Sequence, residues 1–271
     1  MKLKSKDSKN KGKISNFKNG DNHTMIETFD EKSKSFLHHF FEVKEPSELS
    51  PDLQSVIYQI TAKAVPGYEH LVIERCVKDH YVMLTQDKES SRYSAFTSGC
   101  LIPHESKTIF DWEALFILPE YQRQKLGFVI TREFFRQIIK RKILDWEAFK
   151  NIYFVGYTWN PLLLSTIERF VDFYPSLDGK PTPPDIKEVF NYVKNYLKVD
   201  IDPQTFVAKN YLPNGPALQK IFNEQLSSDL RINKLLSKKL NMEAGDLLLI
   251  IGKFDQSDTV KMQIIKTLVT T

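Results

Sequence analysis

The sequence predicts a mixed α/β fold in which a mostly antiparallel central sheet is flanked by helices. Three observations predict it. Stretches rich in β-branched and aromatic residues, separated by short polar turns, recur between residues 79 and 118, as a strand meander requires. The last of them, ending Leu115-Phe116-Ile117-Leu118, passes through a polar, basic turn into a long amphipathic helix. A second aromatic strand, Asn151–Trp159, follows that helix and leads through Asn160-Pro161 into another.

Each element has a local reason. Residues 34–42 have a helix-like pattern. Leu53, Val56, Ile57, Ile60 and Ala64 recur at helical spacing and predict a helix over Pro51–Ala64. Asp79–Thr85, Arg92–Pro103 and Thr108–Leu118 read as three strands, the first two joined by the polar turn Gln86–Ser91. Leu126, Val129, Ile130, Phe134, Ile138, Ile139 and Ile143 form one face of a helix from about Lys125 to Leu144, with Arg132, Glu133, Arg136, Lys140 and Lys142 opposite. Asn160 is a good N-cap and Pro161 suits the first helical position, so a helix is expected over Leu162–Phe173. Pro181-Thr182-Pro183-Pro184 breaks the chain, and Asp185 then caps a helix through Tyr196. Beyond it come a short strand near Phe206–Lys209, one or two helices over Leu218–Leu240 and a buried strand over Leu247–Phe254. Val260–Val269 reads as a final short strand or helix.

Composition narrows the function. With 271 residues, 41% of them hydrophobic, and 19 phenylalanines, the chain can bury a large core. No apolar run approaches the ~20 residues that span a bilayer, and the N-terminus lacks the apolar core of a signal peptide. Cys76 and Cys100, read as lying in a strand region, offer no disulfide framework, which implies a reducing, cytoplasmic setting. The net charge of +4 comes from residues 1–24, which hold seven lysines and two aspartates; the remainder is slightly acidic. Three parts follow: a disordered basic tail over 1–24, a core over 25–180, and an extension over 181–271 that completes the fold or forms an acceptor or dimer surface. The tail reads as a solvated extension with at most weak nucleic-acid contact, and neither a membrane nor a nucleic acid is an expected partner of the body. The six histidines show no metal-ligand spacing: His38-His39 point to different faces, and Cys76 and His80 gather no further ligands in sequence. No metal is expected.

The turn Gln122-Arg123-Gln124-Lys125-Leu126-Gly127-Phe128 is the most specific feature. Free N–H groups at a helix start converge on an anion, and the helix dipole adds about half a positive charge there. Arg123 and Lys125 bring full charges, and Gly127 permits close approach to the backbone. Taken alone, these residues also fit a basic turn that binds nothing.

Over about residues 49–173, and most closely over 113–135, the sequence resembles the GNAT superfamily of N-acyltransferases. The resemblance rests on a strand ending in a Pro-x-Tyr type of turn with a Q/R-x-x-G-x-G/A signature, in which Gln122 takes the first position, Gly127 the last, and Lys125 replaces the middle glycine. An Asn-initiated helix after the next strand extends the likeness, with Ile167 where many members have a tyrosine acid. The resemblance implies acetyl-CoA as co-substrate and an amine as acceptor. It implies that the backbone of Leu115, Phe116 and Ile117 holds pantetheine and polarises the thioester, that residues 122–128 hold the pyrophosphate, and that Asn160 lies beside the pantetheine arm. Transfer also needs a base and an acid. Glu113 is the first choice for base and Asp111 the second, both expected to share a strand face with Leu115 and Ile117. Tyr174 or Tyr157 could protonate the leaving thiolate; both also read as packed aromatics. A homodimer is compatible with this reading. The competing expectation is a catalytically silent module that binds CoA or a protein partner.

Overall fold

The computed structural model describes residues 39–270 apart from 123–125, 169–170, 213–214 and 225. The expected tail over 1–24, together with His38, Arg123, Gln124 and Lys125, lies outside the described residues.

The expected meander forms the centre of the sheet. Strands β2 (Tyr81–Asp87), β3 (Tyr93–Ile102) and β4 (Ile109–Ile117) pair antiparallel in sequence order, and β1 (His39–Lys44) adds to the free edge of β2. Helices α1 (Pro51–Ala64) and α2 (Glu69–Lys78) lie between β1 and β2. The crossover through α3 (Leu126–Lys140) and the short α4 (Trp146–Lys150) lets β5 (Tyr153–Thr158) join β4 in parallel. After α5 (Pro161–Ile167) and β6 (Asp172–Tyr174), residues 175–246 carry α6 (Pro184–Leu197), the two-residue β7 (Val207–Ala208), α7 (Gly215–Glu224) and α8 (Leu230–Lys239). The chain then returns as β8 (Leu247–Lys253), inserted between β5 and β6, and ends in α9 (Thr259–Thr270). The order is β1-β2-β3-β4-β5-β8-β6, with β7 also on β8, and β4–β5 is the only parallel pair among the described residues.

Two apolar layers sandwich this sheet. Helices α1, α2, α6 and α8 cover one face through residues such as Ile57, Val72, Phe190 and Leu236. Helices α3, α4 and α9 cover the other through Phe134, Ile138, Phe149, Ile265 and Val269. β8 is buried on both faces, which explains its unbroken run Leu247–Ile251.

Several expectations are corrected. His39–Glu42 is strand rather than helix, because pairing with Leu84–Asp87 outweighs the local pattern. Helix α2 was not foreseen, and Cys76 lies on it rather than on a strand. Helix α3 stops at Lys140: Lys142 adopts φ 59°, and Lys142 N and Ile143 N donate back to Ile139 O and Ile138 O in a left-handed cap. Asp145 then caps α4, accepting from Ala148 N at 2.7 Å. The helix begun at Asn160 ends at Ile167, and Asp172–Tyr174 is an edge strand, since Pro175 disfavours helix in the residue before it and β8 offers a free edge.

One glycine fixes the returning loop. Gly245 has φ +79°, and a Cβ there would sit 1.9 Å from Leu212 O. Its own carbonyl accepts from Tyr211 N and Leu212 N, both at 3.0 Å. Gly245→Ala is expected to cost at least about 2 kcal/mol from the strained backbone plus the clash, read as a lower urea midpoint with unchanged slope.

Candidate active site

β4 decides where the candidate residues point. Ser98 pairs with Ala114 but Cys100 pairs with Asp111, so one residue of β3 faces two of β4, a β-bulge at Trp112-Glu113. Gly99 makes the bulge possible: a Cβ there would lie 2.5 Å from Asp111 O. The extra residue shifts the alternation. Asp111, Glu113, Ala114 and Phe116 face α1 and α2, whereas Trp112, Leu115 and Ile117 face α3. The expectation that Glu113 and Asp111 share a face with Leu115 and Ile117 is therefore corrected: the carboxylates lie on the opposite side.

The bulge is also where β4 leaves β5. Pairing runs from Ile109–Tyr153 to Trp112–Gly156 and stops. Tyr157 and Thr158 continue on β8 instead, opposite Leu249 and Leu248. Among the described residues the β5 side of Glu113–Ile117 thus has no strand partner, and a wedge opens beside the backbone that the sequence marked. Gln122 donates from Nε2 to Ile117 O at 2.9 Å at its upper end. Leu126 is buried, and Gly127 packs on β4: a Cβ there would lie 3.4 Å from Ile117 Cδ1 and 3.6 Å from Leu115 Cδ2. Phe128, one residue on, is half-buried on the same side. Asn160 caps α5, its Oδ1 accepting from Leu162 N at 2.9 Å and Leu163 N at 3.3 Å.

On the opposite face the carboxylates enter a polar cluster. Glu113, with its side chain fully buried, pairs with the Arg75 guanidinium and accepts from Tyr68 Oη at 2.7 Å. Arg75 also donates to Tyr211 Oη, and the Tyr211 ring stacks on Tyr157 with centroids 5.3 Å apart and planes 15° from parallel. Burial is the largest influence and opposes the charge on Arg75, but Glu113, Tyr211, Tyr68 and Asp111 together outweigh it and hold the guanidinium above its usual range. Burial, then the Glu113 charge, pushes Tyr211 up to about 12 and Tyr68 well above the usual phenol range.

Asp111 differs. It is fully buried, and neither carboxyl oxygen has a hydrogen-bond partner among the described residues. Burial, and secondarily the Glu113 charge, raises it well above the ordinary carboxylate range. Tyr157 Oη likewise has no partner and is held protonated by burial and then by Asp111. His80 Nδ1–H donates to Asp79 Oδ1 (2.7 Å) and Arg75 O (2.9 Å). The sequence spacing suggested no metal set, yet the fold brings ligand atoms of His80, Asp111 and Glu113, and of Asp79, His80 and Cys100, within 4.8 Å of one another. The Arg75 guanidinium on Glu113 places a fixed positive charge against a cation there. Both thiols are buried and free, with Cys76 pushed up to about 12 by burial.

Tyr174 lies elsewhere. It is on β6, three strands from β4 at about 4.8 Å each, and level with Ile251 and Val155 below the wedge. Tyr68, Arg75 and Tyr211 were missed. They come from α2, the turn before it and a loop distant in sequence, and only the tertiary fold unites them.

No model of a known protein family matches the sequence, and no curated protein does. Solved structures do match. A GNAT-family N-acetyltransferase of Escherichia coli in complex with CoA is similar at 12% identity and TM-score 0.37, over 48% of this chain and 67% of that one. The ribosomal-protein-S18-alanine N-acetyltransferase of the same organism gives 14% and 0.35, over 48% and 73%. The PaiA N-acetyltransferase of Thermoplasma acidophilum, in complex with coenzyme A, gives 13% and 0.35, over 48% and 87%. Each of these likenesses covers about half of this chain. Among the described residues no helix is long and apolar enough to cross a membrane.

Asp111 predicts a pH signature. A carboxyl whose pKa is raised by folding favours the native state while protonated, fully so below about pH 4, and that advantage is lost as pH rises toward the folded value. Over that window stability should fall by up to about 1.4 kcal/mol per pH unit. Asp111→Asn should remove the slope, leaving stability similar to wild type near pH 4 and higher at neutral pH. Thermal unfolding of both proteins between pH 4 and 8 measures it.

Proposed function

We propose that the protein is an acyl-CoA-dependent N-acyltransferase whose thioester lies in the wedge between β4 and β5. The observation that carries the reading is the parting of these strands at a bulge, next to a buried carboxyl that holds no partner. Gln122 and Gly127 both lie against Ile117 at the wedge's open end, which supports the diphosphate site expected from the sequence. Acetyl is the smallest group this reading admits, and the two reduced, buried thiols suit a cytoplasmic setting.

The base is assigned to Asp111 rather than Glu113. Glu113 spends both oxygens on Arg75 and Tyr68, so neither is free to meet an acceptor amine. It serves as a positioning residue that holds α2 against the bulge. Asp111, desolvated and unpaired, is the stronger base once ionised. An acceptor ammonium gives one proton to it. The nitrogen then attacks the thioester carbonyl while β4 amides stabilise the developing oxyanion. As the C–S bond breaks, sulfur takes a proton from Tyr157, which recovers one from the new amide nitrogen. Tyr157 replaces Tyr174 in this role because β6 is too far away. The silent-module alternative draws support from the Arg75–Glu113 lock and from Ile167, and predicts binding without turnover.

Calorimetric titration with acetyl-CoA should show micromolar binding. Gly127→Val should weaken it at least tenfold, because the branched side chain presses on Leu115 and Ile117 and lifts the first turn of α3. Unchanged affinity in the variant would place CoA elsewhere. Asp111→Asn should leave acetyl-CoA affinity within about threefold of wild type but slow thiol release, with polyamines, aminoglycosides and peptide amines as acceptors, by about 100-fold or more. Wild-type turnover should rise with pH as Asp111 ionises. Near-normal turnover of the asparagine variant would remove Asp111 as base.

A further inference from the structure

On the α3 side of the sheet, directly under the point where β4 leaves β5, lies an apolar cavity of about 110 Å³. Trp112 and Phe154 line its sheet side, Phe135 of α3 and Ile167 of α5 its walls, and Ile265 and Val269 of α9 its far end. The polar side chains that reach it, Thr131, Arg132 and Thr166, are all partly exposed and mark its solvent side. Trp112 lies within the bulge and is the last residue of β4 that still pairs with β5. Its side chain enters the cavity while its neighbours Asp111 and Glu113 face the other way.

This chemistry excludes most of an acyl-CoA as occupant. Pantetheine carries amides that would lose their hydrogen bonds in such surroundings. The hydrocarbon tail of an acyl group has none to lose. The size sets its length: a 150 Å³ apolar cavity holds a six-carbon ring, so about 110 Å³ suits roughly four to six carbons. The methyl of acetyl would fill little of it.

We propose that this cavity receives the acyl tail, and that the group transferred is an aliphatic acyl chain of about four to six carbons rather than acetyl. The proposal rests on the thioester lying in the β4–β5 wedge. With its carbonyl at the bulge, the tail goes down beside Trp112 while the amine arrives from the face of Asp111. The bonds made and broken are those given above. Ile167 then has a reason to be apolar: it is part of the tail's wall.

The test is a calorimetric series with CoA, acetyl-, butyryl-, hexanoyl- and decanoyl-CoA. Affinity should rise about fourfold per added CH₂ from acetyl to hexanoyl, then stop rising or fall at decanoyl. Val269→Phe, which fills the far end, should leave CoA and acetyl-CoA affinity unchanged and abolish the hexanoyl advantage. Val269→Ala should move the optimum to a longer chain. Should the phenylalanine variant fail to melt cooperatively, the wild-type series and the alanine variant decide alone. Equal affinity for acetyl- and hexanoyl-CoA, with CoA still bound, overturns the tail site and leaves the transferase reading intact. Absence of binding by every CoA species overturns both.

Discussion

Between Ser98 and Cys100 the sheet sets one residue of β3 against two of β4, and every β4 side chain beyond that point changes face. Regular alternation would have placed Asp111, Glu113, Leu115 and Ile117 together. The added residue sends the two carboxylates toward α2 and the two aliphatics toward α3. It also turns β4 away from β5, since a bulged strand bends and its pairing after Trp112 is lost. Three properties thus share one cause: a wedge with an unpaired backbone edge, acidic groups on one side of it, and an apolar chamber on the other. Gly99 is the local condition for all of them, because any side chain there would collide with Asp111 O.

The two carboxylates show how position divides similar groups. Glu113, in the bulge, meets the guanidinium of Arg75 and the hydroxyl of Tyr68, and these replace the water lost on burial. Asp111, below it, loses water without gaining a partner and also feels the Glu113 charge. Neutralising Asp111 is the cheaper arrangement at rest. After burial, the nearby Glu113 raises the proton affinity of Asp111 further, and the pair cannot be understood one residue at a time.

Elements with strong periodicity were legible in the sequence. The apolar stripe of α3, the Pro-led α1, the Asn160 cap and the unbroken run of β8 each depend on local rules. The bulge was not, because Asp111–Ile117 can be read as an unbroken strand and only its pairing with β3 reveals the extra residue. Helix α2 was hidden by its β-branched Val72, Ile73 and Val77, which blur a helical pattern. The cluster around Glu113 was half legible: the acid stood out, but its arginine and both tyrosines come from other parts of the chain. The turn at 122–128 was visible as a motif, whereas the chamber on the far side of Trp112 needed α9 in place.

The segment between β6 and β8 links site to scaffold. Residues 175–246 supply much of the apolar layer on the face of Asp111, including Ile186, Phe190, Leu236 and Met242. They also supply Tyr211. Its backbone is held by Gly245 O, and the loop is tied by buried Asp246, which accepts from Asn210 N at 3.1 Å and Asn241 N at 3.0 Å. From there Tyr211 accepts from Arg75 and stacks on Tyr157. A displacement of this loop would therefore act on the proposed base and the proposed acid together, on Asp111 through Arg75 and Glu113 and on Tyr157 through the stack. The same segment covers the side from which the acceptor would arrive on the proposed reading, which would couple its entry mechanically to the state of the proposed proton-transfer groups. A minimal sheet without the segment would leave Arg75 and Tyr157 without this partner.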